Sequence, residues 1–145
     1  MEHAREADMV LVRLEKGEEV LPALLSAMKA EYVSRAVIMT GLGAMENVEV
    51  GYFDLATNSY IKETFKEPHE VLSISGIIAH GGSPPDFQPH LHITLSSANK
   101  GAVGGHFFSG RVAITAEFAL RAISNGAVHR AKDPVLGLNL LRLHN

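Results

Sequence analysis

The sequence predicts an α+β fold: a single domain, residues 1–145, built on a largely antiparallel mixed β-sheet with one principal helix. Three observations predict it. Only the stretch from Glu18 to Glu31 repeats its apolar residues at helical period, several other segments are apolar or alternating at strand length, and turn residues separate the later segments at hairpin spacing. A chain of 145 residues buries roughly two thirds of the surface it exposes when unfolded, so one core suffices.

Met9 to Leu14 (MVLVRL) is a first strand, closed by the turn Glu15-Lys16-Gly17. In the helix that follows, Val20, Leu21, Leu24, Leu25 and Met28 share one stripe. Glu18 and Glu19 suit its positive N-terminal end, and Pro22 is tolerated because it falls in the first turn. Arg35 to Thr40 is a buried strand that ends at Gly41-Leu42-Gly43-Ala44. That ending imitates a phosphate loop, but Glu46 occupies the place of the third glycine of G-x-G-x-x-G and a strand follows, so a chain bend is the better reading. Val48 to Phe53, a turn at residues 56–59, and Tyr60 to Phe65 form a hairpin, and Val71 to Ile78 extends the sheet. His80 to Pro89 carries two glycines and three prolines and is a loop. Beyond the segment containing His90, His92 and His106, Val112 to Leu120 and Val135 to Leu143 are the last strands.

Composition removes several classes of function. There is no cysteine, which excludes disulfides, thiolate metal sites and cysteine nucleophiles and fits a reducing compartment. No apolar run reaches the length of a membrane span, and the N-terminus lacks the apolar segment of a signal peptide, so a cytoplasmic location is expected. The net charge is −3 and the 13 lysines and arginines are scattered, which argues against nucleic acid as an autonomous ligand.

The chemistry is concentrated in histidines. Residues two apart on a strand face the same way, so His90 and His92 present two imidazoles together, although two polar residues on a wet sheet face would look the same. A turn about Asn99 makes positions summing to 198 face each other, and His92 then lies opposite His106. The glycines at 104 and 105 qualify that register, because they mark a place where a bulge could shift it. Three converging imidazoles leave a fourth position for water or substrate, as in an open zinc site. Glu70 and Glu117, carboxylates on strands, are the candidates for proton transfer, with salt-bridge roles as the alternative. The loop before His90 places Asp86 and Phe87 as candidate lining residues of that open position, or as parts of a plain connection.

The ordered series GLGAMENVEVGYFD, Tyr60 with FKEPHEVLSISGII, PHLHITL, GGHFFSG and TAEFAL resembles the PPC domain, the plants-and-prokaryotes domain, from about Val10 to Leu143. The resemblance implies a homotrimer whose H-x-H and GGH histidines, here His90, His92 and His106, bind a divalent metal, usually zinc. The plant members bind AT-rich DNA through R-G-R-P segments; this chain has none, and Gly110-Arg111 lacks the second arginine and the proline. The ligand spacing also resembles that of α-acetolactate decarboxylase. Two expectations follow: an enzyme acting on a small oxygen-rich molecule at a three-histidine site, or a DNA-binding or protein-interaction module in which the metal is structural.

Overall fold

Alternation of side chains builds most of the molecule. The computed structural model describes residues 1–81, 86–98, 100–124 and 128–143. Its elements are β1 (Glu2–Glu6), β2 (Met9–Glu15), α1 (Val20–Ala30), β3 (Ala36–Asp54), β4 (Ser59–Phe65), β5 (His69–His80), β6 (Phe87–Ser97), β7 (Lys100–Ala122), β8 (Val128–Lys132) and β9 (Asn139–Leu143). In β2, Val10, Val12 and Leu14 are buried, and in β6 Leu91, Ile93 and Leu95 are, while their neighbours in sequence turn outward.

The larger sheet has seven strands in the order β1-β2-β7-β6-β5-β3-β4, with an additional pairing of β7 to β3. That pairing closes the circuit β7-β6-β5-β3 into a barrel, which removes free edges from its core strands. The inward residues include Ile38, Ile74, Ile78, Leu95, Phe118 and Leu120. Helix α1 covers the core with Val20, Leu24, Ala27 and Met28. Fully burying Leu24 or Met28 contributes roughly 1.5–3 kcal/mol each. Pro22 lies in the first turn, where its missing N–H has no helical partner to lose.

The fold is β-rich and not α+β. One 11-residue helix stands against nine strands among the described residues, and every pairing among them is antiparallel, so the sheet is not mixed either. The helix is an attachment to a barrel, not a layer. The excess of strand comes from runs that continue through expected breaks. β3 is 19 residues long and passes straight through Gly41-Leu42-Gly43. Gly43 takes φ +132, and a Cβ there would collide with the Thr115 carbonyl of β7, so this glycine permits a register shift and a close strand crossing. β7 likewise runs 23 residues, joining the return arm of the histidine hairpin to the expected strand at 112–120.

The termini add further differences. Glu2–Glu6 forms an edge strand on β2 although all five of its residues are exposed. The expected final strand begins only at Asn139; Val135 is exposed in a turn whose amides donate to the Asp133 carboxylate. β8 and β9 make a separate two-stranded sheet. No helix of the described residues is long and apolar enough to cross a membrane, which says nothing of strands.

Candidate metal centre

The outward face of β6 carries His90 and His92, because Leu91 and Ile93 occupy the inward positions. Directly across the ladder His92 pairs with His106 of β7, in the register that extends through Ile93↔Gly105, Thr94↔Gly104 and Leu95↔Val103. Gly104 and Gly105 do not displace it; the shift in this ladder lies nearer the turn, between Leu95 and Ser97. Gly104 instead allows β7 to lie against β6, since a Cβ there would meet the Ile93 carbonyl. Gly76 of β5 does the same on the other side, at φ +145, where a Cβ would meet the carbonyl of His90.

One ring nitrogen from each of His90, His92 and His106 lies within 4.8 Å of the others, so the three form a group able to hold a metal ion. Nε2 of His90 is 3.3 Å from Nε2 of His92. Two nitrogens each about 2.0–2.1 Å from a tetrahedral zinc would be about 3.3–3.4 Å apart, so this pair fits such an ion as it stands. Protonation favours the same end. Burial, then Arg130 and His92, holds His90 below the ordinary imidazole range. Burial, then His90, His92, Arg130 and Lys62, lowers His106 to about 4. Both rings are therefore neutral at pH 7, the form that donates a lone pair.

An aromatic wall supports His106. Its ring packs at a tilt against those of Tyr60 and Phe108, with centroids 4.9 Å and 4.7 Å away, and the Tyr60 hydroxyl is 3.4 Å from Nδ1. Lys62 covers Phe108 with its ammonium 3.9 Å from the ring centre and pairs with Glu49 at 2.6 Å.

Two cavities flank the imidazoles. One is lined by Tyr60, Phe87, His90, His106 and Arg130 among others, the second by Ser75, Ile77, His90, His92 and Arg130 among others. Phe87 thus reaches the site, as its place before His90 suggested. Asp86 is exposed and accepts a bond from Gln88. The loop expected to cover the site includes residues 82–85, which lie outside the described residues, as do the turn residue Asn99 and His144.

The two candidate proton carriers sit elsewhere in the chain. Glu70 pairs with Ser96, four residues along β6 from His92, or about 13 Å at strand rise. Glu117 is eleven residues along β7 from His106 and lines a separate groove with Leu11, Thr40 and Leu42. Both are exposed. The neighbours that sequence reasoning passed over are Phe108 and Arg130. Phe108 lay in plain view, two residues from His106 and so on its face, whereas nothing in the run HRAK marks Arg130.

Comparison with known proteins agrees with this architecture. A metal-containing protein from Archaeoglobus fulgidus is 28% identical, with a TM-score of 0.82 over 95% of this chain and 94% of that one. A protein from Bacteroides thetaiotaomicron that is provisionally named as DNA-binding is 25% identical, with a TM-score of 0.88 over 98% and 96%. The plant- and prokaryote-conserved (PPC) protein of Pyrococcus horikoshii shares the fold at 24% identity, with a TM-score of 0.79 over 99% and 95%. No curated protein matches the chain. The model of the Plants and Prokaryotes Conserved domain matches residues 1–124, the barrel with its helix and its histidine hairpin, and the chain belongs to that family.

Proposed function

We propose that this PPC-domain protein is a homotrimeric divalent-metal protein, zinc being the best fit, that binds and transforms a small molecule at the open position of its three-histidine centre. The observation that carries this reading is the convergence of three imidazole nitrogens with no carboxylate among them, beside two open cavities. A divalent ion held there supplies Lewis acidity, polarising a carbonyl or lowering the pKa of a bound water toward 7. The protein's part is to keep His90 and His106 neutral, to fix the orientation of His106 against Tyr60 and Phe108, and to narrow access through Phe87. Trimerisation is supported by the family and by large apolar side chains left in water, notably Leu42, Leu72 and Ile114. The deciding experiment is elemental analysis of purified protein together with light scattering. About one zinc-like ion per chain in a three-chain particle is expected; a metal-free protein with all three histidines intact would overturn the reading.

The names of the Bacteroides relative and of a Ralstonia eutropha one favour a second reading, DNA binding with a structural metal. Against it stand the net charge of −3 and the pairing of Lys62, beside the site, with Glu49. Salt-dependent binding of AT-rich duplex, lost together with folding on chelation, would favour this second reading.

A further inference from the structure

Arg130 of β8 lies beyond the residues that the family model covers. It is 4% exposed, yet no carboxylate of the described residues pairs with it. Its guanidinium instead donates to three backbone carbonyls: Nε to Gln88 at 3.1 Å, one terminal nitrogen to Asn139 at 3.1 Å and the other to Ile77 at 3.3 Å. Those acceptors locate it. Ile77 is the direct cross-strand partner of His90, and Gln88 precedes His90 by two residues. Arg130 and His90 accordingly line both cavities of the metal centre, and among the described residues no Asp or Glu lines either one.

A guanidinium has five N–H groups, of which three are accounted for here, leaving two. Backbone carbonyls satisfy hydrogen bonds but carry no formal charge, so the buried cation is uncompensated. With three neutral imidazoles around a divalent ion, the centre would add two more positive charges next to it and no negative one. Such a basin is completed by an anion, and a planar fork matches a carboxylate bidentately.

We propose that Arg130 is a ligand-recognition residue, binding one side of the carboxylate of a small organic acid while the other side takes the open position at His90, His92 and His106. This rests on the reading of the centre as an open metal site. The C-terminal hairpin is on this account a substrate-binding appendage to the barrel, and specificity for acids resides in residues 128–143.

The test uses full-length protein loaded with cobalt(II), whose visible absorption reports the ligands of the ion, titrated with acetate. Acetate should shift the bands and its neutral isostere acetamide should not, at equal concentration. In Arg130→Met, metal content should stay at the wild-type level while the acetate dissociation constant rises at least about tenfold. Arg130→Lys, which keeps the charge without the fork, should lose part of that affinity, and it serves if the methionine variant does not fold. Wild-type acetate affinity in either variant with metal retained would overturn the proposal, as would equal shifts by acetamide. Phosphate binding ten times tighter than acetate would replace the carboxylate class and overturn it too. A wild-type chain that takes up no divalent ion would refute the metal reading itself, an outcome that elemental analysis separates from the rest.

Discussion

The barrel and the C-terminal hairpin are held by opposite kinds of force. In the barrel, Val10, Ile38, Ile74, Leu95 and Phe118 meet in one continuous apolar core. No residue of 128–143 belongs to that core, and the hairpin lies along the β5–β6 pair through the hydrogen bonds of Arg130. A core is specified by the pattern of many side chains and tolerates local error; a clamp made by two arginines, Arg130 and the Arg35 that donates to the Val128 carbonyl, depends on very few residues. The ligands of the candidate metal centre belong to the first region and its uncompensated charge to the second.

Four measurements break or sharpen this contrast. The largest effect is expected at the junction of β6 and β7. His92→Ala with His106→Ala should cut metal content more than tenfold by elemental analysis while leaving far-ultraviolet circular dichroism unchanged, because both residues point away from the core. Next, Leu95→Ala, which empties a fully buried position, should cost about 2–5 kcal/mol in urea unfolding. The matching change at Leu143, 69% exposed on the hairpin, should cost no more than about 0.5 kcal/mol. Ending the chain at Asn125 should leave a cooperative, metal-binding barrel, with faster metal loss to a chelator than the full chain shows. Loss of cooperative unfolding in that fragment would make the hairpin part of the barrel's own stability.

The smallest effect is one of pH on the metal-free protein. His90 and His106 are held neutral in the folded state, His106 with a pKa of about 4, whereas the unfolded chain takes up protons near 6.5. Between those values the unfolded state binds more protons, so stability present above pH 6.5 should fall as the pH drops toward about 4. A thermal melt at pH 7 and at pH 5 should show the lower midpoint at pH 5, and replacing His106 with Phe should shrink the difference.

How much was legible in the sequence follows from how local each signal is. The pairing of His92 with His106 needed only a period of two and a turn centre, and the structure has that register. α1 was legible from its apolar stripe and from Pro22 in its first turn. The length of β3 was not, because Gly41 and Gly43 usually end strands, and only the approach of β7 explains why they continue one. The balance between helix and sheet was misjudged for the same reason. β1 gave no signal, since Glu2 to Glu6 carries charge on both faces and is ordered by its pairing with β2 and by the contacts of His3 and Arg5 with Glu31. Arg130 was illegible in principle: its three acceptors come from β5, β6 and β9, far apart in sequence.

The long strand β7 has a kinetic consequence. One unbroken run of chain pairs with β2, β3 and β6 and carries His106 between Gly51 of β3 and His92 of β6. Amide protons around His106 can reach solvent only when ladders on both sides separate, a rare excursion close to complete unfolding, whereas those of Val128 to Lys132 are released by a smaller opening. An ion held by the three imidazoles would then escape on the timescale of the hairpin's breathing, not the barrel's. Hydrogen exchange in β8 and the rate of metal release should rise and fall together with temperature, while exchange at His106 follows a separate, steeper course.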